Sequence, residues 1–93
     1  MTFEWDEAKN AENIAKHNIS FQEAREVFFD PNLILIDDIE HSIVEKRYFC
    51  VGKIKNDIIT VRFTKRNNNI RILGAGMWRK YRKHYEHKNS LLQ

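Results

Sequence analysis

Little in this sequence could staple it or hinge it: one cysteine, one proline and three glycines are spread over 93 residues. A single thiol, Cys50, cannot close a disulfide within the chain, which excludes a bridge-held framework and makes a reducing compartment the default. Cys50 falls inside a predicted strand and reads as a small buried hydrophobe. There are no repeats, linkers or low-complexity stretches, so residues 1–93 form one domain. No apolar run approaches the ~18 residues of a membrane span. The N-terminus carries Glu4, Asp6 and Glu7 where a leader would be apolar. The expectation is a cytoplasmic protein without membrane association. The back of the chain also lacks acids. Between Arg62 and Lys88 nine Lys/Arg stand against one acid, Glu86, while residues 1–61 hold seven Lys/Arg and twelve Asp/Glu. The formal charge of +3 therefore divides into an acidic front near −5 and a basic back near +8. A clustered cationic surface attracts polyanions, because each phosphate contact releases counterions. The same run also fits a solvated basic helix without a partner.

Residues 2–5 read as a short strand with Phe3 and Trp5 on one side. Asp6 is a plausible N-cap, and the spacing of Ala8, Ala11, Ile14 and Ala15 predicts a helix over 7–17 that turns those residues inward. Asn18 can stop it in the left-handed conformation. Ser20 and Glu23 form a capping box for a second helix, whose stripe is Phe21, Ala24, Val27 and Phe28. Asp30-Pro31 ends it. Strands follow at 33–36, 45–54, 58–65 and 70–75, with Asp37, Asp38 and Glu40 in a loop. Turns are expected at Asn56-Asp57 and, with three residues, at 67–69. That register sets Ile54 against Ile59, Gly52 against Val61 and Cys50 against Phe63, joined by Leu73 and Ala75 on the core face. It gathers Arg47, Phe49, Val51, Arg62, Thr64, Arg66 and Ile72 on the other face. Arg47 then lies opposite Arg66, a repulsive pair unless an anion sits between them, and Arg71 falls off the cationic face. A basic final helix puts Trp78, Tyr81 and Tyr85 in one stripe, suited to core packing before base stacking. Arg79, Arg82, Lys83 and Glu86 form a band beside it, and residues 89–93 read as frayed.

No metal site or cofactor is expected. His84 and His87 could share an ion, but no Cys or carboxylate cluster completes a ligand set. Gly74-Ala75-Gly76 is too short for a phosphate-binding loop and suits close strand–helix approach. RNA cleavage without metal needs a base for the 2′-hydroxyl, an acid for the leaving 5′-oxygen, and cations for the charged phosphorane. His41, Glu45 and Glu86 could move protons; Arg47, Arg66, Arg71 and Arg79 could neutralise phosphate. His41 could equally cap a loop, and Lys16-His17 could simply answer the dipole at a helix end.

Seven separated pieces share an order and spacing. They are Phe3-Glu4-Trp5-Asp6 with Lys9 and Asn13; Lys16-His17-Asn18-Ile19-Ser20-Phe21 with Glu23-Ala24; Val27-Phe28 before Asp30-Pro31; His41-Ser42 with Glu45 and Arg47; Thr64 with Arg66; Ile70-Arg71-Ile72; and Tyr85-Glu86. Over residues 2–87 this set resembles the BrnT family of type II toxins. The resemblance implies an α+β, RelE-like fold with N-terminal helices, a mainly antiparallel sheet of about four strands and a C-terminal helix. It implies an RNA-cleaving toxin that inhibits translation, neutralised by a cognate BrnA-like antitoxin, with promoter DNA met only through the antitoxin complex; since no metal site is expected, the reading is a metal-independent endoribonuclease. The matching polar positions are Lys16, His17, His41, Glu45, Arg47, Thr64, Arg66, Arg71 and Glu86. One departure stands out: where many relatives end the last strand in Ser-Ala-Arg, this chain has Gly74-Ala75-Gly76. Arg79, one helical turn on, is the expected substitute clamp, with Trp78 beside it as a stacking surface. His41, Glu45, Arg66, Arg71 and Arg79 are therefore the expected catalytic residues, and Arg47, Arg62, Thr64, Trp78, Arg82 and Lys83 the expected RNA contacts. The alternative is a non-catalytic RNA- or antitoxin-binding member, favoured by the Gly76 departure. A DNA-binding regulator is disfavoured, since no helix-turn-helix pattern with a basic second helix is present.

Overall fold

The computed structural model describes residues 2–90. Strand β1 (Thr2–Glu4) leads into α1 (Glu7–His17), α2 (Phe21–Ala24) and a 3-10 turn (Arg25–Phe29). Then come β2 (Ile34–Asp38), a short 3-10 turn (Ile39–His41), β3 (Arg47–Ile54), β4 (Asp57–Arg66), β5 (Asn69–Gly76) and α3 (Arg79–Ser90). The five strands form one sheet in the order β1-β5-β4-β3-β2, antiparallel except for the parallel β1–β5 pair. The fold is thus α+β, and the short strand read over residues 2–5 joins the four that follow it in one sheet. The helix α3 runs through Asn89 and Ser90, which were expected to fray; residues 91–93 lie outside the described residues.

The helix ends follow the capping chemistry. Asp6 accepts from the Lys9 amide, and Asn18 closes α1 at φ 57°. Ser20 and Glu23 complete the reciprocal box, each taking the other's amide. The inward face of α1 is not the expected one. Ala8, Ala11, Ile14 and Ala15 are all exposed, and the buried residue is Asn13. The cause is β1, which is only three residues long and leaves the upper edge of β5 without a strand partner. Asn13 fills that gap: its Oδ1 accepts from the Ala75 amide (3.2 Å) and its Nδ2 donates to the Ile19 carbonyl (2.9 Å). Asn10, on the same side, accepts from the Phe21 amide (2.8 Å). Buried backbone groups must find partners, and here that requirement outranks the burial of three alanines and an isoleucine.

Two turns also differ. The first hairpin turns at Lys55-Asn56, with Lys55 left-handed (φ 55°), one residue earlier than expected. Cys50 therefore pairs with Val61, Gly52 with Ile59, and Arg47 with Thr64, not Arg66. The register moves by two, so every side chain keeps its face. The second hairpin turns through two residues, Asn67 and Asn68, both at positive φ, as type I′ hairpins require. A bulge then leaves Leu73 without a partner between Arg62↔Gly74 and Phe63↔Ile72. Ile72 (1% exposed) and Ile70 join the core, and Leu73 leaves it. Phe21, Ala24, Val27, Cys50, Val61, Phe63, Ile72 and Ala75 make up most of the core under α1 and α2. On the opposite face α3 lays Tyr85 and Tyr81 over Ile34, Val51 and Ile36.

Asp30 joins the two sides. Its Oδ2 accepts from the Lys53 amide (2.7 Å) and the Tyr85 hydroxyl (2.6 Å), and its Oδ1 from the Asn32 amide (2.8 Å). Burial pushes its pKa up, but the hydrogen bonds from Tyr85, Asn32 and Lys53 outweigh it and hold the carboxyl below its ordinary value.

Candidate functional site

The register lines up one polar row across all five strands: Asp38, Arg47, Thr64, Arg71 and Glu4. Paired residues share a face, so the row lies on the α3 side of the sheet. It brings Arg71 onto the cationic face, where the expected three-residue turn had excluded it. The next row runs Ile36, Phe49, Arg62, Gly74. At the near end of the face Glu45 grips Arg66 through two bonds, Nε–Oε2 at 3.1 Å and Nη2–Oε1 at 3.0 Å. The hydrogen bond from Arg66 first, and the nearby charges of Arg66, Arg47 and Arg71, hold the Glu45 carboxyl below its ordinary value. Glu45 is therefore an anion at neutral pH and no proton donor. Arg71 is bound in turn to Glu4 at 2.8 Å.

Arg47 and Arg62 differ from these two. The Nε of each is buried with no hydrogen-bond partner among the described residues. Both line a recess of about 270 Å³ that α1 closes from the side, with Lys9, Glu12, Lys16 and His17 facing the two arginines. Lys9, Glu12, Asn13 and Lys16 are spaced i, i+3, i+4, i+7 and so share one helix face. The bond from Asn13 to Ala75 sets that face against the sheet. Trp78 completes the recess; its ring meets the edge of His17 at 5.3 Å between centroids. The indole lies over Gly76, where a Cβ would come within 2.6 Å of it. The glycine at the departure from Ser-Ala-Arg is thus the residue that makes room for the indole.

The other expected residues fall elsewhere. Thr64 is 1% exposed and its hydroxyl donates to the Lys46 carbonyl (2.7 Å), fastening the loop before β3. Arg79, Arg82 and Lys83 line a different groove, with Asn56, Asp57 and Met77. That groove lies toward the Asp57 end of β4, and Arg66 is at the other end, roughly 30 Å away at ~3.3 Å per residue. Arg79 lines that groove and not the recess that holds Arg47 and Arg62. Arg82 and Glu86 make a loose i,i+4 pair at 3.7 Å. His41 ends the 3-10 turn after β2, and its side chain lies outside the described residues. Lys9 and Glu12 were missed as site residues. Their helical spacing with Asn13 and Lys16 was the available signal, and the competing alanine stripe hid it. Cys50 takes no part: burial pushes its thiol up to about 12. Among the described residues no three His, Cys, Asp or Glu side chains group as a metal site would require.

Two guanidinium groups whose buried Nε atoms have no hydrogen-bond partner among the described residues, beside two lysines on a mixed sheet, suit an anion, and the basic residues around them suit a nucleic-acid phosphate. The class is that of a small α+β nucleic-acid-directed protein. Residues 5–81 match the family described as ribonuclease toxin, BrnT, of type II toxin-antitoxin system, and the chain belongs to that family. Membership brings RNA as the target and an antitoxin protein as the partner. No curated protein matches the chain. Among the described residues no helix is long and apolar enough to cross a membrane.

Proposed function

We propose that this chain is a metal-independent endoribonuclease that acts in the cytoplasm, stops translation by cutting RNA, and is held inactive by an antitoxin of the BrnA kind. On this reading the antitoxin complex, not the toxin alone, meets promoter DNA. The observation that carries it is the pair Arg47 and Arg62, whose buried Nε atoms have no hydrogen-bond partner among the described residues. A buried N–H left unpaired costs about 1–3 kcal/mol, and a phosphate, through two of its oxygens, is a bidentate partner that a guanidinium fits. The 2′-oxygen attacks phosphorus, a base takes its proton, and the 5′-oxygen leaves with a proton from an acid. The products are a 2′,3′-cyclic phosphate and a 5′-hydroxyl. Arg47 and Arg62, with Lys9 and Lys16, stabilise the charge on the phosphorane. Among the described residues His17 and Glu12 line the same recess and are proton carriers within reach of it; Glu45 serves by orienting Arg66.

The test is cleavage of end-labelled RNA in EDTA by the purified chain and by Arg47→Ala/Arg62→Ala. Cyclic-phosphate ends from the parent and at least a hundredfold slower cutting by the double variant are expected. Equal rates would refute the assignment. One observation favours a second reading, a non-catalytic binder: Glu45 and Glu4 already neutralise Arg66 and Arg71. Tight RNA binding without cleavage, in buffer and in a translating extract, would select it.

A further inference from the structure

We propose that Trp78, Phe49 and Tyr81 form a seat for one unpaired nucleobase next to the phosphate held by Arg47 and Arg62, so that the substrate is single-stranded RNA. This rests on the ribonuclease reading above and adds a substrate class and a specificity-determining residue to it.

A second recess, of about 200 Å³, is lined by Phe49, Arg62, Gly74, Trp78 and Tyr81. It shares Arg62, Gly74 and Trp78 with the cationic recess, so a base and its own phosphate can occupy the two together. One wall is already assembled: the Phe49 and Tyr81 rings lie 4.9 Å apart and 31° from parallel. The other wall is Trp78. It belongs to neither core cluster and is 42% exposed, so core packing does not account for a large indole at this point. Three things hold it in place. The bare backbone of Gly76 lets the ring lie down, His17 meets its edge, and the carbonyl of Trp78 accepts the Arg82 amide at the first turn of α3. The Arg62 guanidinium extends along the backbone of Gly74, the distance to a Cβ built there being 3.6 Å. A cation and aromatic faces around one recess suit a flat, electron-rich ring joined to an anion. A base inside a duplex is stacked on both sides and cannot enter without unpairing, whereas an unpaired base can. Because every base has a π-face, the seat is tolerant of sequence.

The chain has two tryptophans, Trp5 and Trp78, so Trp5→Phe leaves Trp78 as the sole indole emitter. The experiment titrates that variant with a fluorescently labelled 2′-O-methyl oligonucleotide, which cannot be cut, as a single strand and as its duplex. Indole emission and oligonucleotide anisotropy are read together. The single strand should quench Trp78 in step with binding, and the duplex should not. Trp78→Ala should weaken single-strand binding roughly tenfold and duplex binding by less than about twofold, while Trp78→Phe, which keeps an aromatic face, should restore most of the affinity. Single-strand binding without quenching, or equal quenching by the duplex, would overturn the seat and leave the ribonuclease reading standing. No binding of either nucleic acid would overturn both.

Discussion

Two glycines make opposite predictions under the same substitution. Gly52 sits in β3 on the helix-facing side, where an added Cβ would lie 2.9 Å from Val27 Cγ1, 3.0 Å from the Val27 carbonyl oxygen and 3.3 Å from Asp30 Cβ. Ordinary contact begins near 3.4 Å, so the 3-10 turn must retreat by several tenths of an ångström. Val27 is fully buried and cannot swing aside. The turn also carries Asp30, whose bonds to Lys53 and Tyr85 would lengthen with it. Overpacking of this kind costs about 1–3 kcal/mol, and the gain from replacing a strand glycine offsets about 0.5–1 of it. The net for Gly52→Ala is about 1–2 kcal/mol, which for a domain of this size lowers Tm by roughly 5–15 °C.

At Gly76 the clash looks worse, with contacts of 2.6, 2.8 and 3.1 Å, yet every atom met belongs to the six-membered ring of Trp78. That ring ends a side chain that is 42% exposed, and giving up its edge contact with His17 lets it swing toward solvent. Gly76→Ala should therefore move Tm by less than ~4 °C, within the ±0.5 kcal/mol typical of surface changes. It should nonetheless displace the indole from His17 and weaken RNA binding as Trp78→Ala does. Thermal melts followed by circular dichroism, paired with anisotropy titrations, read both quantities. A larger loss of Tm at Gly76 than at Gly52 would refute the reasoning, because the nominal overlap would then matter more than what it strikes.

Acid and alkali should each loosen the fold through Asp30 and Tyr85. Asp30 is held below its ordinary pKa, so its contribution is present above the unfolded value and is lost as pH falls through the folded one, below about pH 4. Burial first, then the bond to Asp30, pushes Tyr85 up to about 12, so its contribution is present below pH ~10 and is lost as pH rises through the folded value. Tyr85→Phe should cost about 1–2 kcal/mol at pH 7 and flatten the alkaline limb; an unchanged limb in urea titrations at pH 9–12 would place its origin elsewhere. Asn13→Ala strands the Ile19 carbonyl and the Ala75 amide together, and at roughly 1–3 kcal/mol per buried group the loss in urea denaturation should be about 2–4 kcal/mol. A loss under about 1 kcal/mol would mean water replaces the side chain there.

Caps and strand faces were legible because they rest on local chemistry. Asp6, Asn18, and Ser20 with Glu23 act within a few residues of themselves, whereas Asp30 also bonds Lys53 and Tyr85, which its sequence neighbours do not announce. The faces of β3 and β4 survived a misplaced turn only because the slip was two residues. Lys55, not Asn56, took the left-handed position, which no residue preference announces. The last strand was harder. Two asparagines at positive φ shortened its turn by one residue, which set Ile72 in place of Leu73 opposite Phe63, and the bulge at Leu73 then returned Gly74, Ala75 and Gly76 to the expected register. The shortened turn alone moved Arg71 into line with Thr64 and Arg47. The pairing of Arg66 with Glu45 and of Arg71 with Glu4 joins residues 21 and 67 positions apart, a separation that hydrophobic periodicity does not report on.

The site's two halves depend on one structural accident at the sheet edge. With β1 only three residues long, the Ala75 amide has no strand to bond, and a buried unpaired amide is costly. An asparagine on α1 answers it, and a helix that presents Asn13 to the sheet must also present its i−4, i−1 and i+3 neighbours, which are Lys9, Glu12 and Lys16. The lysines are thus carried to Arg47 and Arg62 by a backbone hydrogen bond, not by any attraction of their own, since four cations brought together repel. The same geometry explains why the stripe of Ala8, Ala11, Ile14 and Ala15 faces water: a helix that buried it would turn Asn13 and Asn10 away and leave the Ala75 and Phe21 amides and the Ile19 carbonyl unpaired, at about 1–3 kcal/mol for each buried group. On the reading proposed above, an entering phosphate relieves the repulsion that Glu12 leaves uncompensated in the recess.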